Sequence, residues 1–151
     1  MKGSKKMKEE LLNDLKEAMR TKNELKKDTI TMLRAAVLQI EKDEQKVLED
    51  SDIGIVVAKE VKKRKESIVE FEKADRMDLV EGLNKEIEIL SKYLPKQLTE
   101  EEVKNIIEEA IIATNASCAK DMGKVMGAIK SKIAGKADGK LVSELVKSML
   151  N

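Results

Sequence analysis

Apolar residues recur every three to four positions along almost the whole chain. Near the N-terminus the spacing of Leu11, Leu15 and Ala18, with Met7 and Leu12 beside them, predicts a helix over about residues 6–20. A polar stretch, residues 21–27, precedes Asp28, the expected N-cap of a second helix whose stripe is Ile30, Leu33, Val37, Ile40 and Val47. After the polar run 41–50, Ser51 and Asp52 offer the next N-cap. The third stripe is Ile53, Val57, Val61, Ile68 and Phe71, and its one polar seam position is Arg64. A fourth stripe, Val80, Leu83, Ile87, Leu90 and Leu94, stops at Pro95, which lacks a backbone donor. Four antiparallel helices with short connections bury four such stripes, so residues 1–95 are expected to form a helical bundle.

Beyond Pro95 the pattern restarts. Thr99 and Glu102 have the spacing of a capping box, and Val103, Ile106, Ile107, Ala110 and Ile111 follow as an apolar face. The polar residues 114–117 end that helix. A second helix carries Met122, Val125, Met126 and Ile129. A last one carries Leu141, Val142, Leu145, Val146, Met149 and Leu150. The expectation is an all-α chain with about four helices in an N-terminal domain, 1–95, and three in a small C-terminal domain, 96–151.

Composition narrows the chemistry. Aromatic residues are 1% of the 151, namely Phe71 and Tyr93, so the core must be aliphatic and Met-rich. There is no His, which removes the residue best suited to proton transfer near neutral pH and the commonest metal ligand. Ser-His and Cys-His nucleophile pairs are excluded with it. The lone Cys118 excludes an intramolecular disulfide framework and a multi-Cys zinc site. The reading is therefore no catalytic set, no metal site and no cofactor. With no long apolar run, no membrane partner is expected. The basic N-terminal stretch, 1–8, does not read as a signal peptide, and a cytosolic (cytoplasmic) location is expected.

The formal charge is +1, so a polyanionic partner needs a local patch. Residues 117–151 supply one, with seven Lys against three acids, a net of +4, whereas 99–116 carry one Lys against five acids. Without Trp or interleaved aromatics, such a face grips phosphates and backbone shape rather than stacking bases. Three further features need a reading. Gly123 and Gly127 lie four apart on one helix; packing of a neighbouring helix of the same bundle is the favoured explanation, and a surface for a partner or a sugar-phosphate backbone the other. Gly135-Lys136-Ala137-Asp138-Gly139 followed by Lys140 fails the spacing of a phosphate loop and reads as a turn in which Asp138 caps the last helix. Arg64, within the basic run Lys62, Lys63, Arg64, Lys65, must snorkel, pair with an acid such as Glu86 or Glu41, or line a functional groove.

Four segments read together resemble the GatB/YqeY family. They are Met32-Leu33-Arg34-Ala35-Ala36; Lys63-Arg64-Lys65-Glu66-Ser67 with residues 71–79; Tyr93-Leu94-Pro95-Lys96-Gln97-Leu98; and Asp121-Met122-Gly123-Lys124-Val125-Met126-Gly127 with the 135–139 loop. In that family the domain stands alone or forms the tail of the B subunit of the tRNA-dependent amidotransferase. There the chemistry belongs to other domains and the tail is associated with contacting tRNA. The resemblance implies tRNA as first partner and no catalysis of its own. It places the contact surface on 121–127 and 135–139. The candidate residues are Lys120, Gly123, Lys124, Gly127, Lys136, Gly139 and Lys140, with Arg64 as an outlying candidate. Any carbon-nitrogen ligase activity would be inherited by analogy only. Two positions depart from the family's expected pattern: Thr31 stands where a basic residue is expected and Gly54 where a Glu is, the latter read as weakening a capping box. The alternative is a helical protein-interaction module that receives a partner helix on Met122 and Met126.

Overall fold

In a computed structural model describing residues 3–151, the chain is all-α, with seven α helices and one short 3₁₀ turn. Met1 and Lys2, which open the basic N-terminal stretch, lie outside the described residues. The helices group into two compact units, Met1–Pro95 and Lys96–Asn151.

In the first unit α1 spans Gly3–Arg20, α2 Glu24–Glu44, α3 Asp50–Lys73 and α4 Met77–Ser91. α1 packs on α2 and α3, α2 on α3 and α4, and α3 on α4. Leu11, Ile30, Leu33, Ile53, Val57 and Leu90 are the largest of its fully buried side chains. Two helix starts differ from the sequence expectation. α2 begins at Glu24, not after Asp28, because the Asn23 side chain accepts from the Lys26 amide at 3.2 Å. Asn is as good a cap as Asp, and the first helical turn behind it carries a single apolar residue, Leu25, which is exposed and does not mark the buried stripe. α3 begins at Asp50 with Glu49 as N-cap, and the Glu49 amide donates to Asp52 Oδ2 at 3.0 Å.

The loop between α2 and α3 also reassigns a core position. Gln45 turns left-handed at φ 52°, and the Leu48 amide then donates to the Glu41 carboxylate at 2.7 Å. Leu48 is buried as a result, while Val47, expected in the stripe, is 75% exposed.

The second unit contains α5, Glu100–Thr114, a 3₁₀ turn at Ala119–Asp121, α6, Met122–Ile133, and α7, Gly139–Met149. The capping box is formed as expected: Thr99 Oγ1 accepts from the Glu102 amide at 3.1 Å and Glu102 Oε1 from the Thr99 amide at 2.9 Å. Val103, Ile107, Val125, Ile129, Val142 and Val146 meet in a wholly aliphatic core. Among the described residues no helix is long and apolar enough to cross a membrane, and no group of three metal-ligand side chains converges.

Candidate nucleic-acid interface

α6 turns Val125, Ile129 and Ile133 into the core of its unit, with Met122 and Met126 packed at the edge. Helical spacing then puts Gly123, Gly127 and Ser131 on the side away from that core, and all three are exposed. A Cβ added at Gly123 or Gly127 would meet nothing within 4 Å. The expectation that a helix of the same unit packs on this pair is therefore corrected. Each Gly costs about 1 kcal/mol of helix propensity relative to Ala, and no contact inside the unit offsets it.

Lys124 and Lys130 lie on either side of the open strip, both exposed. α6 carries three Lys and no acid, whereas α5 carries five Glu and one Lys. Lys124 Nζ stands 3.5 Å from Asp121 Oδ1, a loose contact across an exposed turn and worth little in water. Among the described residues Lys120, Lys130, Lys132, Lys136 and Lys140 are exposed and carry no ion pair. The other end of the 121–127 segment is occupied: Asp121 Oδ2 accepts the Ser117 amide at 2.8 Å and organises the 3₁₀ turn. That bond, with smaller help from Lys124, holds the Asp121 carboxyl below the usual range.

The 135–139 loop is a fixed turn. Gly135 takes φ 75°, a left-handed conformation that favours glycine. Gln97 Nε2 donates to the Gly135 carbonyl at 2.9 Å, and the Leu98 amide to the Lys136 carbonyl at 2.8 Å. Asp138 caps α7 by accepting from the Lys140 amide at 3.1 Å. The Lys136 and Lys140 side chains are left exposed, and Gly139 has open space around it.

Lys124 and Lys136 are thus not neighbours. They stand near opposite ends of the 12-residue α6, which at 1.5 Å per residue is about 18 Å long. The arrangement is a rail of spaced ammonium groups beside a flat strip. Lys130 and Ser131 belong to it and were missed in the sequence reading; carrying the Gly123–Gly127 interval one step further would have reached Ser131.

Arg64 belongs elsewhere. It is buried in the first unit, where Nε donates to Glu86 Oε1 at 2.8 Å, and Nη1 to Glu60 Oε1 at 2.9 Å and to the Glu60 carbonyl at 3.0 Å. Its Nη2 faces Met32 Sδ at 3.1 Å. Burial alone would raise the Glu60 carboxyl, but the bond from Arg64 and the charge of Lys63 hold it below the usual value. A guanidinium so committed has no fork left for a phosphate, and Arg64 is removed from the candidate surface.

The model of the family described as Yqey-like protein matches residues 8–150. The chain belongs to this family. Relatives of this YqeY-like chain include the protein named "Altered inheritance of mitochondria protein 41, mitochondrial" in Pyrenophora tritici-repentis. That relative is 32% identical over 100 residues, covering 65% of this chain and 55% of its own length. The protein of the same name in Lachancea thermotolerans is 42% identical over 85 residues, covering 56% and 46% respectively. That of Kluyveromyces lactis is 42% identical over 84 residues, covering 55% and 45%. The YqeY-like chain thus spans about half the length of the curated relatives it matches. The expectation of a cytosolic location is overturned by these names, which are those of mitochondrial proteins. It had rested on cysteine usage and the lack of an apolar leader, which do not separate the cytosol from other reducing compartments.

Proposed function

We propose that the C-terminal unit of this YqeY-like protein binds RNA, with tRNA as first partner, and performs no chemistry of its own. The single observation carrying the reading is the outward face of α6: Gly123 and Gly127 open to solvent, flanked by Lys124 and Lys130 on a helix with no acid. A strip without side chains lets a sugar-phosphate backbone approach the helix, and flanking ammonium groups neutralise its phosphates. Lys120, Lys136 and Lys140 extend the positive field toward the two ends of α6, so the footprint is elongated, as suits a strand or groove edge rather than a flipped base. The acidic α5 keeps RNA off the rest of the unit by repulsion. The rival module loses its anchor, because Met122 and Met126 are packed against the unit's own core.

The test is tRNA binding by the full chain across a salt series. Binding should weaken with salt, and each phosphate contact removed should lower the log-log slope by about 0.7–0.9. Lys124→Glu with Lys136→Glu should lower affinity at least tenfold. Salt-independent binding, or binding indifferent to that pair, sinks the reading.

A further inference from the structure

The first unit holds a groove of about 430 Å³ between α1 and α2, closed at one end by the loop after α2. Its floor is Leu11 and Val37, at 2% and 4% exposure, and its walls are Leu12, Leu38 and Val47, at 38%, 59% and 75%. Three large apolar side chains on the rim of one cleft are more than solitary surface residues. The charges on the cleft are unevenly satisfied. Lys8 is paired with Glu41, and Glu41 also accepts the Leu48 amide, so that end is closed electrostatically. Arg34, half-buried in the lining, has no carboxylate partner among the described residues. Glu9 and Glu49 are exposed at the rim.

We propose that this groove receives an amphipathic helix of a protein partner, with an acidic side chain of that helix meeting Arg34. Arg34, Leu38 and Glu41 are spaced by four and three residues, so they form one ridge of α2. Lys8 and Leu12, four apart, form the facing ridge of α1. Two parallel ridges with a buried apolar floor are the bed into which a third helix packs, presenting anchors at i, i+3 or i+4, and i+7. The walls are too exposed for a small ligand, whose site typically encloses 70–90% of it. The unpaired guanidinium selects an acid at one end of the incoming helix, and Glu9 with Glu49 disfavour acids at the rim. This inference is independent of the RNA reading, since it uses no residue of the second unit.

The test is selection from a displayed library of amphipathic helices of roughly four turns, with Leu, Ile, Met or Phe at the anchors and Glu, Lys or Gln between them, panned on the full chain. Enriched peptides should carry Glu at one fixed position. Replacing that acid by Lys should weaken binding about tenfold, and Arg34→Glu should restore the Lys peptide. Leu38→Asp should abolish binding, whereas Lys124→Glu should leave it unchanged. Circular dichroism melts of the Arg34 and Leu38 variants check the fold; both sites are solvent-accessible. The proposal is overturned if no helix is enriched or if enriched helices ignore the charge at position 34. It is equally overturned if the chain dimerises through this face, seen as self-association lost in Leu38→Asp.

Discussion

Gly54 lies against Pro95: a Cβ built on Gly54 would stand 2.7 Å from the Cγ of the proline ring. Sequence reading treats Gly54 as a weakened capping box, but the cap of α3 is made by Glu49 and Asp52, and Gly54 is buried one turn further on. A glutamate there, as the family pattern leads one to expect, would drive its first side-chain carbon into the ring. Helix propensity favours Ala over Gly by about 1 kcal/mol, so the sign of Gly54→Ala is diagnostic. The variant should be destabilised by about 1–3 kcal/mol through overpacking. Pro95→Ala should remove most of that penalty in a double-mutant cycle. Tyr93, the only Tyr in the chain, lies in this unit and reports its denaturant unfolding by intrinsic fluorescence.

Arg64 should behave as a structural residue. Its side chain is 10% exposed, Glu60 is 11% and Glu86 27%, so Arg64→Ala leaves Glu86 without its counter-ion and Glu60 with the longer Lys63 pair alone in a partly buried site. A loss of about 3 kcal/mol in first-unit stability is expected. tRNA affinity, measured where the variant is folded, should be unchanged. A drop in affinity with intact stability would return Arg64 to the binding surface.

The stability of the first unit should fall at both ends of the pH scale through Asp14 and Tyr93. The Tyr93 hydroxyl donates to Asp14 Oδ2, and Lys92 Nζ lies 2.8 Å from the same atom. Burial would raise Asp14, but the bonds from Lys92 and Tyr93 outweigh it and hold the carboxyl below its usual value. A depressed carboxyl contributes stability above its unfolded pKa, which is lost as pH falls through the folded one, below about pH 4. Burial, then the bond to Asp14, pushes the Tyr93 hydroxyl upward. Its contribution is therefore complete below about pH 10 and lost above it. Asp14→Asn should flatten the acid limb and Tyr93→Phe the alkaline one, each costing about 1 kcal/mol at neutral pH. Urea midpoints across pH decide, read by far-ultraviolet circular dichroism.

The open strip on α6 makes stability and binding move in opposite directions. Because nothing lies within 4 Å of a Cβ at Gly127, Gly127→Ala should stabilise the second unit by about 0.5–1 kcal/mol. Gly127→Leu gains similar helix propensity but raises a bulky ridge between Lys124 and Lys130, and should weaken tRNA binding several-fold. Amide exchange along α6 measures the first effect and the salt series the second. Destabilisation by Ala would mean that the strip is covered after all.

The alternation of apolar and polar positions alone determined that this chain is helical, where most of its helices lie and that its cores are aliphatic. Amphipathic period is a property of neighbouring residues and needs no knowledge of what packs where. The capping box at Thr99 and Glu102 and the cap at Asp138 were legible for the same reason, since both partners lie within three residues. Only the tertiary structure decided which glycine is a close-approach position. At Gly54 the deciding neighbour, Pro95, is 41 residues away in sequence, and at Gly123 and Gly127 it is the absence of any neighbour. For Arg64 the sequence offered pairing with Glu86 as one of several readings, and only the fold decided among them, by delivering Glu86, 22 residues away, on a separate helix. A side chain's environment is set by elements that local spacing cannot bring together, and the candidate interface depended on that environment more than on residue type.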